Sequence, residues 1–198
     1  MKKLTLDKNF LLGTASSSTQ IEGGDTNNTW YKWCLEGHIL DGSTCLTACD
    51  HWNRVEEDTE LLKSLNIQTY RMSLEWSRVE PEPRQYSPEN LNHYRKEIEL
   101  LIANGIEPLV TLHHFSEPLW FHELGGWLKP GNSDFFLNYT RYVAENLGDL
   151  VKEWVTFNEP NVYVFFGYAL GLFPPGERDL GKALQVLKEL IKTHIKVY

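Results

Sequence analysis

Glu159 is the residue of this sequence best placed for acid–base chemistry. It follows the apolar run Trp154–Phe157 and Asn158, and Pro160 comes directly after it. A carboxyl group just past an apolar strand has a low-dielectric interior behind it, which favours the protonated form and suits a general acid. Pro160 also restricts Glu159 away from helical backbone angles. The alternative is a solvated loop glutamate, and the local residues by themselves favour that interpretation.

Other polar side chains follow or close predicted strands in the same way. These candidates are Gln20, Arg71, His113, His114 and Asn158. The Asn158 amide can donate a hydrogen bond to a hydroxyl group and accept one from it. Three of the others also have a structural interpretation: a loop cap for Gln20, a core histidine for His114 and an ion pair for Arg71.

Short apolar runs alternate with amphipathic stretches along the chain. They predict strands at Phe10–Ala15, Gln68–Met72, Pro108–Leu112 and Glu153–Phe157. This alternation implies an α/β protein with a parallel sheet covered by helices. No Gly-rich phosphate turn follows the first strand, which disfavours a dinucleotide-binding doubly wound sheet. Polar residues at the carboxyl ends of the strands favour a (β/α)8 barrel, of which about four units are present.

The amphipathic stretches predict the helices between these strands. Asp50 is expected to N-cap a helix with Leu61 and Leu65 among its apolar positions, and Ser87 is expected to N-cap the next. A third helix is expected from about Ser133. The last stretch has an apolar face that includes Leu184, Ile191 and Ile195. It runs to Tyr198, so we expect residues 1–198 to end within the fourth helix.

Composition excludes several classes of partner. Nineteen Lys and Arg against 27 Asp and Glu give a net charge of −8, which argues against nucleic acid and anionic membranes. No apolar run approaches transmembrane length. The start Met1–Lys3 resembles a signal peptide, but the apolar stretch after it is broken at residues 7–9, so a cytoplasmic protein is expected.

The three cysteines are expected to be free thiols in a reducing compartment. Cys34, Cys45 and Cys49 cannot all pair within one chain, and their spacing matches no recognisable zinc site. The sequence therefore predicts no metal and no cofactor.

Five motifs in order resemble glycoside hydrolase family 1, the β-glucosidase and β-galactosidase family with a (β/α)8 barrel. The segments that carry the resemblance are Phe10–Gly23, Cys49–Trp52 with Tyr70–Arg78, Thr111–Phe115 with Gly125–Trp127, Thr156–Pro160, and Gly167–Gly171 with Pro174–Gly176. Together they span nearly the whole chain.

The resemblance implies a role for each site residue in a retaining exo-β-glycosidase. Glu159 would be the general acid/base, and Gln20 and His114 would hydrogen-bond hydroxyls of the non-reducing-end sugar. Asn158 would contact the 2-hydroxyl group, an interaction that strengthens in the transition state. Arg71 would lie under the nucleophile carboxylate and keep it ionised, or serve only as a structural ion pair. The role of His113 stays open.

Retaining hydrolysis needs a second carboxylate about 5 Å from the first. The family's nucleophile motif, Thr-Glu-Asn-Gly, does not occur in these residues, so we expect this chain to have no meaningful turnover alone. Its two exposed sheet edges should cause self-association or require a C-terminal half-barrel chain.

Two alternatives lead to other functions. The chain could be a non-catalytic remnant or assembly partner with weak sugar binding. A barrel lyase or aldolase would need a Schiff-base lysine or a metal cluster at strand ends, and neither is visible in the sequence.

Overall fold

The computed structural model describes Thr5, Asp7 and residues 9–198, so Met1–Lys3 lies outside the described residues. The strands of the described part are β1 (Gly13–Ala15), β2 (Thr69–Ser73), β3 (Glu107–His113) and β4 (Glu153–Phe157). Its α-helices are α1 (Ser18–Ile21), α2 (Thr29–Leu35), α3 (Val55–Ser64), α4 (Trp76–Val79), α5 (Pro88–Ala103), α6 (Leu119–Glu123), α7 (Ser133–Leu147), α8 (Pro160–Val164) and α9 (Leu180–Val197). Two 3-10 turns, His51–Asn53 and Gly126–Leu128, and a π-helical turn, Phe165–Ala169, complete the helical segments.

The strands form one parallel sheet in the order β1-β2-β3-β4. Ser73 pairs with Thr111, and His113 pairs with Phe157. The carboxyl ends of the strands therefore meet at one edge of the sheet, and the loops that leave them form one surface. This arrangement is the one expected from alternating strands and helices.

Three of the predicted strands are confirmed to within one residue at each end, and the first is shorter than predicted. Phe10, Leu11 and Leu12 precede β1 and are 55%, 55% and 49% exposed. The β1 ladder to β2 covers three residue pairs only, while Leu12 is held by Gln68 through the backbone and the side chain. The predicted strand Phe10–Ala15 therefore begins three residues late, because β1 is an edge strand of the described sheet and only Gly13–Ala15 pair with β2.

The start of α3 also differs from the prediction. Asp50 adopts a left-handed conformation (φ 56°, ψ 28°), its carboxylate accepts from the Asn53 side chain, and a 3-10 turn follows. Because the buried side of α3 is set by Val55 and Thr59, Leu61 and Leu65 lie elsewhere on the helix and are 63% and 60% exposed.

The later helices follow the predicted starts. Ser87 accepts from the Asn90 N–H at the start of α5, and α7 begins at Ser133. On α9, however, Leu184, Ile191 and Ile195 are 61%, 52% and 68% exposed. The apolar stripe of α9 is therefore wider than the surface that the described residues cover.

The core lies between the sheet and α5 and α7. Its aromatic centre is Trp76, which is 1% exposed and lies 4.8 Å from Phe121 and 5.4 Å from Tyr139, measured between ring centroids. Trp127 is also 1% exposed. Both tryptophans are packing residues that support the surface at the carboxyl ends of the strands.

Candidate active site

The predicted site residues lie on or after three of the four strands and on the helix after the first. Arg71 lies in β2, His113 ends β3, and Asn158 and Glu159 follow β4 directly. His114 comes immediately after β3. Gln20 lies on α1, five residues beyond β1, because Ser16 and Ser17 form the connection.

Arg71 and Asn158 form the best-defined part of the site. The Arg71 guanidinium donates to Asn158 Oδ1 (2.7 Å) and to Thr111 Oγ1 (3.1 Å). Asn158 is 5% exposed, and its backbone N–H donates to the carbonyl of His113 (2.8 Å). A hydrogen bond from a charged donor fixes which end of the Asn158 amide is oxygen, so its NH₂ group is left for another partner.

His114 is held neutral beside this pair. Burial, the Arg71 charge and the neighbouring His113 lower the pKa of His114 to about 4. Within the part of the chain that the structure describes, its buried Nδ1 atom has no hydrogen-bond partner. Such an atom is costly to leave unpaired, so a ligand hydroxyl or a water at this position would stabilise it.

Glu159 has an unusual backbone and an open side. It adopts φ 39°, ψ 60°, in the left-handed region that non-glycine residues seldom occupy. Its side chain is exposed, so the described residues do not supply the apolar surroundings expected from the sequence. The physical reason is that β4 pairs with β3 only, among the described residues, and its other side is uncovered.

Gln20 is exposed, but the helix that carries it is firmly held by a glutamate that the sequence motifs did not single out. Glu75 is 2% exposed and accepts hydrogen bonds from Ser18 (3.0 Å) and Thr19 (3.2 Å), the two residues before Gln20. Burial and the charge of Asp25 raise the pKa of Glu75, while Ser116, Ser77 and Ser18 oppose that shift. A charged residue between Leu74 and Trp76 was the sequence signal that could have indicated the role of Glu75.

His113 belongs to a second buried group. Its Nε2 atom lies 3.2 Å from Glu117 Oε1, which also accepts from Trp127 Nε1 (2.5 Å) and from the Tyr163 hydroxyl. Sequence reasoning left His113 open and missed Glu117 and Tyr163. The spacing of four residues between His113 and Glu117 was a weak signal for the pair.

In the described ranges, no three His, Cys, Asp or Glu side chains come together as a possible metal site. Over the same residues, no helix combines the length and apolar character needed to cross a membrane.

The parallel sheet order, the alternation with helices and the polar residues at the strand ends are those of four consecutive units of a (β/α)8 barrel. A family model for glycosyl hydrolase family 1 matches residues 2–198, and the chain belongs to that family.

Similar sequences and solved structures agree with this family assignment. Beta-glucosidase A of Acetivibrio thermocellus is 37% identical over 203 residues, covering 99% of this chain and 45% of that protein. The solved beta-glycosidase from Pyrococcus horikoshii superposes with a TM-score of 0.92 at 42% identity, covering 98% of this chain and 45% of that one.

A further solved structure is the beta-glucosidase from Thermotoga maritima in complex with glucoimidazole. It superposes with a TM-score of 0.93 at 35% identity, covering 97% of this chain and 45% of that one. The chain thus spans somewhat under half the length of the relatives it matches.

Proposed function

We propose that this chain supplies the acid/base half of a retaining exo-β-glycosidase that acts on β-glucosides. The observation that carries the proposal is the fixed pair Arg71–Asn158 beside Glu159, at the carboxyl end of β4. In such a site Glu159 protonates the leaving oxygen and then deprotonates the attacking water. The glucoimidazole complex of the beta-glucosidase from Thermotoga maritima supports a glucoside as substrate.

The remaining site residues are proposed to bind the sugar. Gln20 and His114 bind hydroxyl groups of the non-reducing-end ring, and the free NH₂ of Asn158 binds the 2-hydroxyl. Arg71 orients Asn158 directly, and its charge keeps a nearby nucleophile carboxylate ionised. The three cysteines are free thiols, which supports the cytoplasm as the proposed location.

The nucleophile is proposed to come from a C-terminal half-barrel segment that packs on β4 and α9. A groove of about 740 Å³ lies between them, lined by residues that include Trp154, Thr156, Ile191 and His194. A parallel strand that follows β4 and a helix would enter on this side, since such crossovers are right-handed. The described residues therefore offer both an unpaired strand edge and an apolar groove to the same partner.

Completion of the barrel tests the proposal. We define the completed protein as this chain joined after Tyr198 to the remaining C-terminal part of the Acetivibrio thermocellus relative. It should hydrolyse an aryl β-glucoside, and Glu159→Gln should lower kcat/KM at least about a hundredfold, the usual size of general acid–base catalysis. Glu145→Gln, at an exposed position of α7, is the matched control.

The outcomes separate the proposal from its rival. A folded completed protein without turnover would favour a non-catalytic remnant. Activity that is unaffected by Glu159→Gln would overturn the assignment of the acid/base.

A further inference from the structure

Four buried side chains behind the candidate active site form one connected group, which we call the Glu117 cluster. Its members are His113, Glu117, Trp127 and Tyr163, and none is more than 3% exposed. They come from the end of β3, the loop after it, the 3-10 turn at Gly126–Leu128 and helix α8. The cluster thus joins four separate segments around one carboxylate.

Glu117 is the acceptor that holds the cluster together. Its Oε1 atom receives the Trp127 indole N–H at 2.5 Å, the Tyr163 hydroxyl, and the His113 Nε2 atom at 3.2 Å. Burial alone would raise the pKa of Glu117, but the hydrogen bonds from His113, Tyr163 and Trp127 outweigh it and lower that pKa. The carboxylate is therefore charged at neutral pH, and three hydrogen bonds to a charge are each stronger than neutral ones.

The Glu117 backbone is fixed as well. Its carbonyl accepts from the N–H of Thr29 (3.0 Å), and its own N–H donates to the Thr29 hydroxyl (3.3 Å). Since Thr29 begins α2 and is itself buried, Glu117 cannot shift toward its partners without moving that helix. The positions of the His113, Trp127 and Tyr163 side chains therefore depend on that of Glu117.

The cluster reaches Glu159 from both sides. After Glu159, the Tyr163 N–H donates to the Glu159 carbonyl (3.0 Å), while the Tyr163 hydroxyl is bound to Glu117. Before Glu159, the Asn158 N–H donates to the His113 carbonyl (2.8 Å). Glu159 thus lies between two backbone hydrogen bonds to which cluster members, Tyr163 and His113, contribute.

Such restraints matter because the Glu159 backbone is in a sparsely populated conformation. Its φ of 39° and ψ of 60° place it in the left-handed region, and Pro160 follows. A non-glycine residue stays there only when its surroundings over-determine it. Without restraint, the residue would relax toward extended angles, and its carboxyl group would point elsewhere.

We propose that Glu117 is a positioning residue, which acts through Tyr163 to hold the backbone of Glu159 in the conformation that directs its carboxyl group. This inference rests on the proposed role of Glu159. It assigns to Glu117 no contact with substrate.

The test uses this chain in solution with Ile191→Lys in every sample, a change in the groove beside β4 that limits self-association, and it does not depend on glycosidase activity. The variants are Glu117→Gln, which removes the charge, and Tyr163→Phe, which removes a single hydroxyl group and is the milder change. Glu80→Gln is the matched control, because Glu80 is also fully buried and accepts from a tryptophan (Trp76 Nε1, 2.7 Å). No described contact joins Glu80 to the Glu117 cluster.

Two NMR readouts report on Glu159 itself. The first is the H–N to Hα coupling of Glu159 with its backbone carbon shifts, which together report φ and ψ. The second is hydrogen exchange of the amide at position 163, which is bonded to the Glu159 carbonyl. The amide of Val110 in β3, a fully buried residue, reports global opening.

We expect both test variants to shift the Glu159 angles toward extended values and to speed exchange at position 163 at least about tenfold relative to Val110. Glu80→Gln should leave both readouts unchanged. If Tyr163→Phe leaves the Glu159 angles and the exchange at position 163 like those of the control, Glu117 serves the core only and the proposal is wrong. The acid/base role of Glu159 is tested separately, by the activity of the completed protein with Glu159→Gln. Failure of that role can therefore be distinguished from failure of the positioning role of Glu117.

Discussion

At the scale of single residues, the site divides into a part that the described chain fixes and a part that it leaves open. Asn158 and Arg71 bind each other, and His114 is half-buried and neutral beside them. Gln20 and Glu159 are exposed. The fixed residues lie between β2, β3 and β4, while Glu159 follows β4, an edge strand of the described sheet. If Glu159 is the proposed general acid, the apolar surroundings that keep its carboxyl group protonated come from outside the described residues.

Removing the Arg71 charge should destabilise the fixed part. Arg71→Met leaves the buried Oδ1 of Asn158 without its donor, and we expect a loss of about 2 kcal/mol in the free energy of unfolding. Urea denaturation measures it. Arg141→Met, at an exposed position of α7, should change stability by no more than about 0.5 kcal/mol. Equal effects of the two substitutions would mean that the Arg71–Asn158 bond contributes nothing.

A second buried ionic group should make stability depend on pH. His51 lies between Asp58 (2.7 Å) and Glu97 (3.0 Å). Burial alone would lower the pKa of His51, but the hydrogen bonds and charges of Glu97 and Asp58 raise it from 6.5 to about 9. Because the folded pKa is the higher one, the stabilisation is complete below pH 6.5 and is lost as pH rises through about 9.

His51→Gln tests this dependence. We expect the free energy of unfolding to fall by about 3 kcal/mol at pH 6, and the difference from the unmodified chain to shrink by pH 9.5. His38→Gln, at an exposed position, is the control. A difference that stays constant across this pH range would contradict the assignment of a charged His51.

At the scale of elements, the local sequence predicted those strands and helix starts that depend only on neighbouring residues. Apolar runs predicted β2, β3 and β4, and Ser87 with Pro88 predicted the start of α5. The shared edge of a parallel sheet predicted which strand ends meet. Local sequence could not predict the start of α3, because the Asp50 carboxylate binds the Asn53 side chain instead of the helix backbone.

Contacts between distant segments account for what the sequence did not reveal at the site. Glu117 and Tyr163 are 46 residues apart, and only the packing of α8 against the end of β3 brings them together. The left-handed angles of Glu159 depend on the same packing. The exposure of Leu184 and Ile191 could not be predicted either, because periodicity identifies an apolar face without identifying what covers it.

The cap of α5 supplies a prediction at this scale. The Ser87 hydroxyl accepts from the Asn90 N–H (3.2 Å). Ser87→Ala should therefore cost about 1 kcal/mol and lower Tm by about 2–4 °C. Ser64→Ala, near the end of α3 where no N–H is capped, should shift Tm by less than about 1 °C, as surface changes usually do. Differential scanning calorimetry measures both, and equal shifts would count against the cap.

At the scale of the whole molecule, the chain has more apolar surface than its own residues cover. The groove beside β4 and the outer face of α9 are contiguous at Ile191, and β4 offers an unpaired edge there in the described structure. Exposed edges and apolar grooves of this size promote association. The chain alone should therefore self-associate through this surface.

Ile191→Lys should weaken that self-association about tenfold, because it removes one apolar side chain from the contact and adds a charge. Sedimentation velocity over a concentration series measures the change. Leu40→Lys, in a fully exposed loop position, is the control. If both variants associate as the unmodified chain does, the surface beside β4 is not the one responsible.

The most direct measurement concerns Glu159→Ala in the completed protein, with an aryl β-glucoside whose leaving group needs no protonation. The first step should continue without the acid, while hydrolysis of the glycosyl intermediate slows because water loses its general base. Azide, already an anion, needs no base, so adding it should restore turnover and form a β-glucosyl azide with retained configuration. If azide neither restores turnover nor yields that product, while the unmodified completed protein is active, Glu159 is not the acid/base.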